Sequence, residues 1–244
     1  MTGNELIYQI FEDFNIDSDD SNISEKYIIQ LINQQRALFL TNEGNKRGHT
    51  LDNKLIQTLK PSNIEKVSTV LSNDLGLTSE CFFVRTANKI PRAIETHKGQ
   101  LYTRIGPLDL MAKEFPLKEL VEVTFAGNGR FNENVISAFW LDDRIYLVSK
   151  AEDFQFVKAI SIRGIFEDPI EAANYNLPAS ECWTLDDEYP LSDRLFNYIK
   201  AQILQQLSYK YSIPSDTTGL SLSSFISSLD LSGYNSFHKS LVAL

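Results

Sequence analysis

Apolar residues recur along this chain with two different periods, and the places where the period changes divide it. In "NELIYQIFEDFN", residues 4–15, Leu6, Ile7, Ile10, Phe11 and Phe14 are spaced i, i+1, i+4, i+5 and i+8, one stripe of an amphipathic helix. Thr2 or Asn4 is its candidate cap. A second helix is predicted over 24–40, "SEKYIIQLINQQRALFL", with Ile28, Leu31, Ile32, Gln35 and Phe39 along one side and Tyr27 and Leu38 close by. The two are expected to form an antiparallel pair. Residues 41–63 then read as a polar, Gly-containing loop, a short helical piece around Leu51 to Leu59, and a break at Pro61.

The centre of the chain changes character. "CFFVRT", "AIETHKGQLYTRIG", "NVISAFWLDDRIYLVSK" and "FVKAISIRGIFEDP" are short runs rich in Val, Ile, Phe, Tyr and Thr, broken by turn-forming residues. Ile136–Leu141 and Ile145–Val148, joined at Asp142–Asp143, are expected to form a hairpin, as are Ala93–Thr96 and Leu101–Ile105 around Lys98–Gly99. Residues 64–170 therefore predict antiparallel β structure. Helical spacing returns in "YPLSDRLFNYIKAQILQQLSYKY", with Ser192 as cap and Leu195, Phe196, Ile199, Ile203, Leu204 and Leu207 on one stripe.

The expected class is α+β: a helical platform built from both ends of the chain, a central antiparallel β domain inserted into it, and an extended C-terminal arm. The corresponding division is 1–63 for the N-terminal helices, 64–180 for the β domain, 181–211 for the C-terminal helix and 212–244 for the arm. That arm has ten serines and only Asp216, Asp230 and Lys239 as ordinary charges. It is too apolar to stay solvated and too weakly patterned to fold alone, so it is expected to dock on its own domain or on a neighbour. Leu220, Phe225, Ile226, Leu229 and Phe237 are its candidate anchors for a partner.

Composition narrows the chemistry. With 32 acidic against 23 basic residues in 244, the net charge is −9, and no stretch forms the basic footprint that phosphate binding needs. The densest bases, Lys46, Arg47, Lys54 and Lys60, read as a solvated face. No window reaches the roughly 18–20 apolar residues of a membrane span. The opening "MTGNELIYQIFEDF" has no basic start, which argues for a cytosolic origin. Cys81 and Cys182 stand far apart outside any CxxC pattern and read as buried thiols. His49, His97 and His238 fall in a loop, a turn and the tail, and none has metal-ligand spacing.

The acids repay a closer look. In "DSDDSNISEKYI", Asp17, Asp19 and Ser21 occupy positions 1, 3 and 5 of a calcium loop, but Asn22 stands where Gly belongs and Ile28 where a bidentate Glu belongs. Capping accounts for the run better: Asn22 with Glu25, or Ser24, starts the second helix. The pairs Asp142–Asp143, Glu167–Asp168 and Asp186–Asp187 are adjacent residues, which on a strand face opposite ways and cannot flank one bond. "GNGRF" at Gly127 is a turn. The residues thus favour a non-catalytic, protein-binding role, with no catalytic, metal or cofactor residue to name.

In chain order, "NELIYQIFEDFNIDSDDSNISEKYIIQLINQQRALFL", "FFVRTANKIPRAIE", "SIRGIFEDP", "YPLSDRLFNYIKAQILQQL" and "IPSDTT" resemble the neck proteins of tailed phages. The likeness is to virion structural proteins of crAss-like and related short-tailed phages, from Asn4 to about Thr218. It implies a head-to-tail connector, an adaptor ring of about twelve copies below the portal. Arg36, Arg85, Pro91, Phe166 and Pro169 match family-like positions, where the resemblance implies architectural roles. The implied partners are further copies of the chain, the portal, adjoining neck or tail proteins, and genomic DNA passing without specific binding. A ring of acidic subunits would let DNA slide through its lumen. The implied location is the virion, after assembly in the host cytoplasm and with no membrane. The competing expectations are another tail or virion assembly protein and a hydrolase whose site assembles only in space.

Overall fold

In the computed structural model, the structure describes residues 1–14, 23–45, 52–74, 82–97, 99–123, 135–150 and 157–211. The acidic run before Ile23, His49, His238, Cys81, Gly127 and the arm anchors Leu220, Phe225, Ile226, Leu229 and Phe237 lie outside the described residues.

Helix α1 (Gly3–Asp13) starts at a reciprocal cap: the Thr2 hydroxyl accepts from the Glu5 amide at 3.2 Å, and the Glu5 carboxylate accepts from the Thr2 amide at 2.8 Å. Asn4, the other candidate cap, instead donates to Asp186 at 2.7 Å. Leu6, Ile7, Ile10 and Phe11 are buried, as their spacing predicts. Helix α2 (Glu25–Gly44) is capped by Ser24, whose hydroxyl accepts from the Tyr27 amide at 3.3 Å, and it runs four residues beyond the expected end. Its buried stripe is Ile28, Leu31, Ile32, Arg36, Leu40 and Glu43. Gln35 and Phe39, expected on that stripe, are only half-buried. The face is turned by one position because a guanidinium, not an amide, occupies its centre.

Helix α3 (Asp193–Tyr211) buries all six predicted residues from Leu195 to Leu207. It is the most extensive helical partner of α2, and Phe39 against Tyr198 with Tyr27 against Lys210 shows the two running antiparallel. Helix α1 packs on both, and Lys200 reaches Asp13 at 2.7 Å. These three helices share one core with Leu55, Ile94, Ile165, Tyr189 and Leu191.

Between the helices the chain forms β1 (Gln57–Thr58), β2 (Ser62–Lys66), β3 (Phe82–Thr86), β4 (Glu95–Thr96), β5 (Gly99–Gln100), β6 (Tyr102–Pro107), β7 (Ser137–Leu141), β8 (Arg144–Ser149) and β9 (Ala159–Gly164). Seven of these strands form one antiparallel sheet, in which β9 is flanked by β6 on one side and by β1 and β2 on the other, followed by β3, β8 and β7. The architecture is α+β, with an antiparallel sheet between helices drawn from both ends of the chain.

The β7–β8 hairpin forms as predicted, with Asp142 and Asp143 at φ 50° and 57°, the paired left-handed residues of a two-residue turn. The other expected hairpin is much shorter. β4 and β5 pair around the turn, the Leu101 amide adds one bond to the Ile94 carbonyl at 2.9 Å, and β6 then departs to pair along its length with β9. Gly164 permits that approach, since a Cβ there would lie 2.9 Å from the Leu101 carbonyl oxygen. The helical piece expected around Leu51 to Leu59 is a single 3-10 turn, Asn53–Leu55, after which β1 pairs with β9 and the Leu59 amide donates to Ile162 at 2.9 Å. A free acceptor on β9 outweighs the weak local helix preference.

The sheet curls until its outer strands β6 and β7 approach. The Phe115 amide donates to Ile105 at 2.7 Å, the Ala138 amide to Pro116 at 2.9 Å and the Lys118 amide to Ala138 at 2.8 Å, so residues 115–118 bridge the two edges. Edges closed in this way offer no template for further strands. Val84, Ile105, Phe115, Ala138, Leu147, Ile160, Ile162 and Phe166 fill the concave side. Phe139, Tyr146 and Val148 pack on the other face with Val123 of the short helical segment Leu120–Val123.

Candidate functional site

The largest fully buried side chain is Arg36, at the join between the helices and the sheet. Its Nη1 donates to the Phe166 carbonyl at 2.8 Å and its Nε to the Pro190 carbonyl at 3.3 Å. Nη2 has no hydrogen-bond partner among the described residues. Phe166 ends the excursion of β9, and the next residues turn into a short helix (Pro169–Asn174) capped by Asp168, which accepts from the Ile170 and Glu171 amides at 2.9 and 3.3 Å. Asp168 also accepts from Asn33 at 3.2 Å, and Asn33 accepts from the Tyr189 hydroxyl at 2.6 Å. Helix α2 thus holds the "FEDP" corner twice, through Arg36 and through Asn33.

Electrostatics follow from that enclosure. Burial pulls the Arg36 pKa down, opposed by the nearby Tyr189 and Asp168. Burial pushes the Tyr189 hydroxyl up. Glu171 is also raised, first by burial and then by repulsion from Asp168, Asp143 and Glu167. An encased guanidinium bonded to two main-chain carbonyls has no path to a ligand. Its chemistry is that of a strut.

The structure brings Arg36, Phe166 and Pro169 together at this corner, where Gln57 also donates to the Pro169 carbonyl at 2.9 Å. Pro91 is buried one residue before Arg92, whose carbonyl accepts from the Glu167 amide at 2.9 Å, so it flanks the same corner. Arg85 belongs to a separate set of contacts. Its Nε meets Glu65 across the β2–β3 pair at 2.6 Å, and Arg144 approaches the same carboxylate at 3.8 Å. A hydrogen bond from the Arg85 guanidinium to the Tyr146 hydroxyl oxygen is the first cause raising the Arg85 pKa. Arg144 also donates to the carbonyls of Thr86 and Ala87. Asn33 and Tyr189, which complete the corner, carry no signal in sequence, because a half-polar helix position and an isolated Tyr have many ordinary uses.

The remaining candidates for chemistry are already engaged in structure. Asp142 and Asp143 make a turn, Asp168 caps a helix, Asp186 holds Asn4, and Asp187 accepts from the Thr184 amide at 2.7 Å. His97 lies against Asn45 at 2.9 Å, at the end of α2. Cys182, expected to be a buried thiol, is exposed, because it follows a 3-10 turn on the surface. Among the described residues no group of His, Cys, Asp and Glu could hold a metal ion, and no helix is long and apolar enough to cross a membrane.

Two surface features stand out among the described residues. The chain presents large apolar side chains after β6, at Leu108, Leu110 and Met111. A cleft of about 380 Å³ opens between α2 and the β4 region, lined by Ala37, Thr41, Arg92, Ile94, Glu95 and Glu167.

Residues 5–220 match the family described as phage tail ring protein 2. The chain is also similar to "Ring protein 2" of Bacteroides phage crAss001, at 24% identity over 220 residues, 88% of this chain and 94% of that protein. The family match runs through the helices, the sheet and the Arg36 corner.

Proposed function

The chain belongs to the phage tail ring protein 2 family, a virion structural protein that assembles with copies of itself, and from this premise we propose that it is the head-to-tail connector of its particle. In this reading about twelve copies sit beneath the portal, join capsid to tail and line part of the DNA channel. The observation that carries it is the extent of the family match, which takes in both the helical layer and the sheet instead of one element. The role is structural and not enzymatic: Arg36 and the "FEDP" corner hold two layers in fixed relation, which a subunit under packaging pressure requires. The net charge of −9 per copy supports a channel that DNA passes without adhering.

The C-terminal arm, through Leu220, Phe225, Ile226, Leu229 and Phe237, clamps a neighbouring copy or the portal in this reading. Assembly occurs in the host cytoplasm before the virion is complete. Sedimentation of the purified chain, alone and mixed with the portal of the same particle, tests the proposal. A ring-sized complex with the portal is expected, and a chain that ignores the portal overturns it. Deleting residues 212–244 is expected to abolish that complex, and undiminished assembly overturns the clamp. The description "tail ring" favours a second reading, a ring placed further along the tail. Recovery of the chain in isolated tails without the portal is the result that reading requires.

A further inference from the structure

We propose that the apolar loop after β6 inserts into the cleft beside α2 of the next copy of this chain, and that this knob and cleft form the repeating contact of the ring. The inference rests on the ring reading. Met111 is 93% exposed and Leu110 59%, with Leu108 beside them, which is an unusual concentration of large apolar side chains in solvent.

The loop is built to hold that shape. Arg104 Nη2 donates to the Asp109 carbonyl at 2.9 Å and the Ala112 carbonyl at 3.1 Å, and the Asp109 carboxylate accepts from the Met111 amide at 2.9 Å. The chain then folds back over β6 so closely that a Cβ on Gly106 would lie 3.3 Å from the Glu114 Cα. A side chain presented by a pre-ordered loop loses little entropy when it docks.

Knob and cleft lie at opposite ends of the same strands. The loop follows Pro107, which pairs with Ile160, whereas the cleft residues Ile94 and Glu167 flank the end where Tyr102 pairs with Gly164. Six residues of strand separate the ends, roughly 20 Å at about 3.3 Å per residue. The loop therefore cannot reach the cleft of its own chain but can reach that of another. A contact between two different surfaces of identical subunits is head-to-tail, and a closed head-to-tail series is a ring. Charge agrees with the pairing. In the cleft Arg92 already meets Glu95 at 3.2 Å, and Glu167, also of the lining, is opposite in charge to Lys113 at the loop's exit.

The test uses the full chain with and without the portal. Wild type, Met111→Glu and Tyr8→Glu are compared by sedimentation; Met111 and Tyr8 are both exposed, so neither change threatens folding. A photo-cross-linking residue is placed at Met111 in a fourth sample. The expected result is self-association weakened about tenfold or more by Met111→Glu, the loss of one interface anchor, and little changed by Tyr8→Glu. The cross-link is expected at residues 37–41 or 92–95 of a second copy. Rings formed equally well by Met111→Glu, or a cross-link elsewhere or to a different protein, overturn this contact and leave the ring reading standing. Wild type that stays monomeric in both conditions overturns both.

Discussion

Replacing Arg36 is the most direct way to ask whether the corner holds the helices to the sheet. Its two hydrogen bonds are made by a charged donor to the carbonyls of Phe166 and Pro190, each worth about 1.5–3 kcal/mol. Against them stand the desolvation of the guanidinium and the buried Nη2 with no partner among the described residues, which costs about 1–3 kcal/mol. Arg36→Met removes the bonds and these costs together while keeping the volume of the stem, so a loss of about 2–3 kcal/mol is expected. Arg36→Ala adds a cavity in a fully buried site, and its expected loss is about 3–5 kcal/mol. A domain holds only about 5–15 kcal/mol in total, and at about 2–4 °C per kcal/mol the Ala variant should melt about 6–20 °C lower.

Urea and thermal unfolding followed by circular dichroism give the two magnitudes and their order. Amide exchange supplies the local reading. The amides of Glu167 and Ile170, which are ordered at the corner, should lose more protection in Arg36→Met than those in the middle of α1. A loss below about 1 kcal/mol for Arg36→Ala, or corner amides no more affected than α1, refutes the strut.

Two further expectations follow from local geometry. Thr2→Ala breaks the reciprocal cap of α1 and should cost about 0.5–2 kcal/mol by urea unfolding, more than Asn4→Ala; the reverse order refutes the assignment of the cap. The Glu171 pKa is raised in the folded state, so the folded protein binds that proton more readily and the charged carboxylate costs stability above its folded pKa. The cost is relieved as pH falls through the folded pKa toward the ordinary value of 4.5. Glu171→Gln should therefore be the more stable protein at pH 7, with the advantage shrinking on acidification, and an advantage independent of pH refutes it.

Much of this architecture was legible in the order of residues, because its determinants are local. The stripes of α1 and α3 follow from which positions recur every 3.6 residues, and the β7–β8 hairpin from two Asp residues that tolerate left-handed backbone between alternating apolar runs. The ring family was legible too, in segments such as "SIRGIFEDP" spread through most of the chain. The clamp residues of the arm fall outside the described residues.

What local pattern could not specify was decided by partners distant in sequence. Arg36 lies beside the predicted stripe, which runs through Gln35, and only the two carbonyls of Phe166 and Pro190 folded onto it bring it to the buried face. Every residue carries a carbonyl, so no sequence signal marks the two that will be chosen. The same holds for β6, whose alternation fits either its hairpin neighbour or β9, and for Cys182, whose exposure follows from the surface turn that precedes it. Periodicity states which face of an element avoids water, and only the folded chain states what covers it.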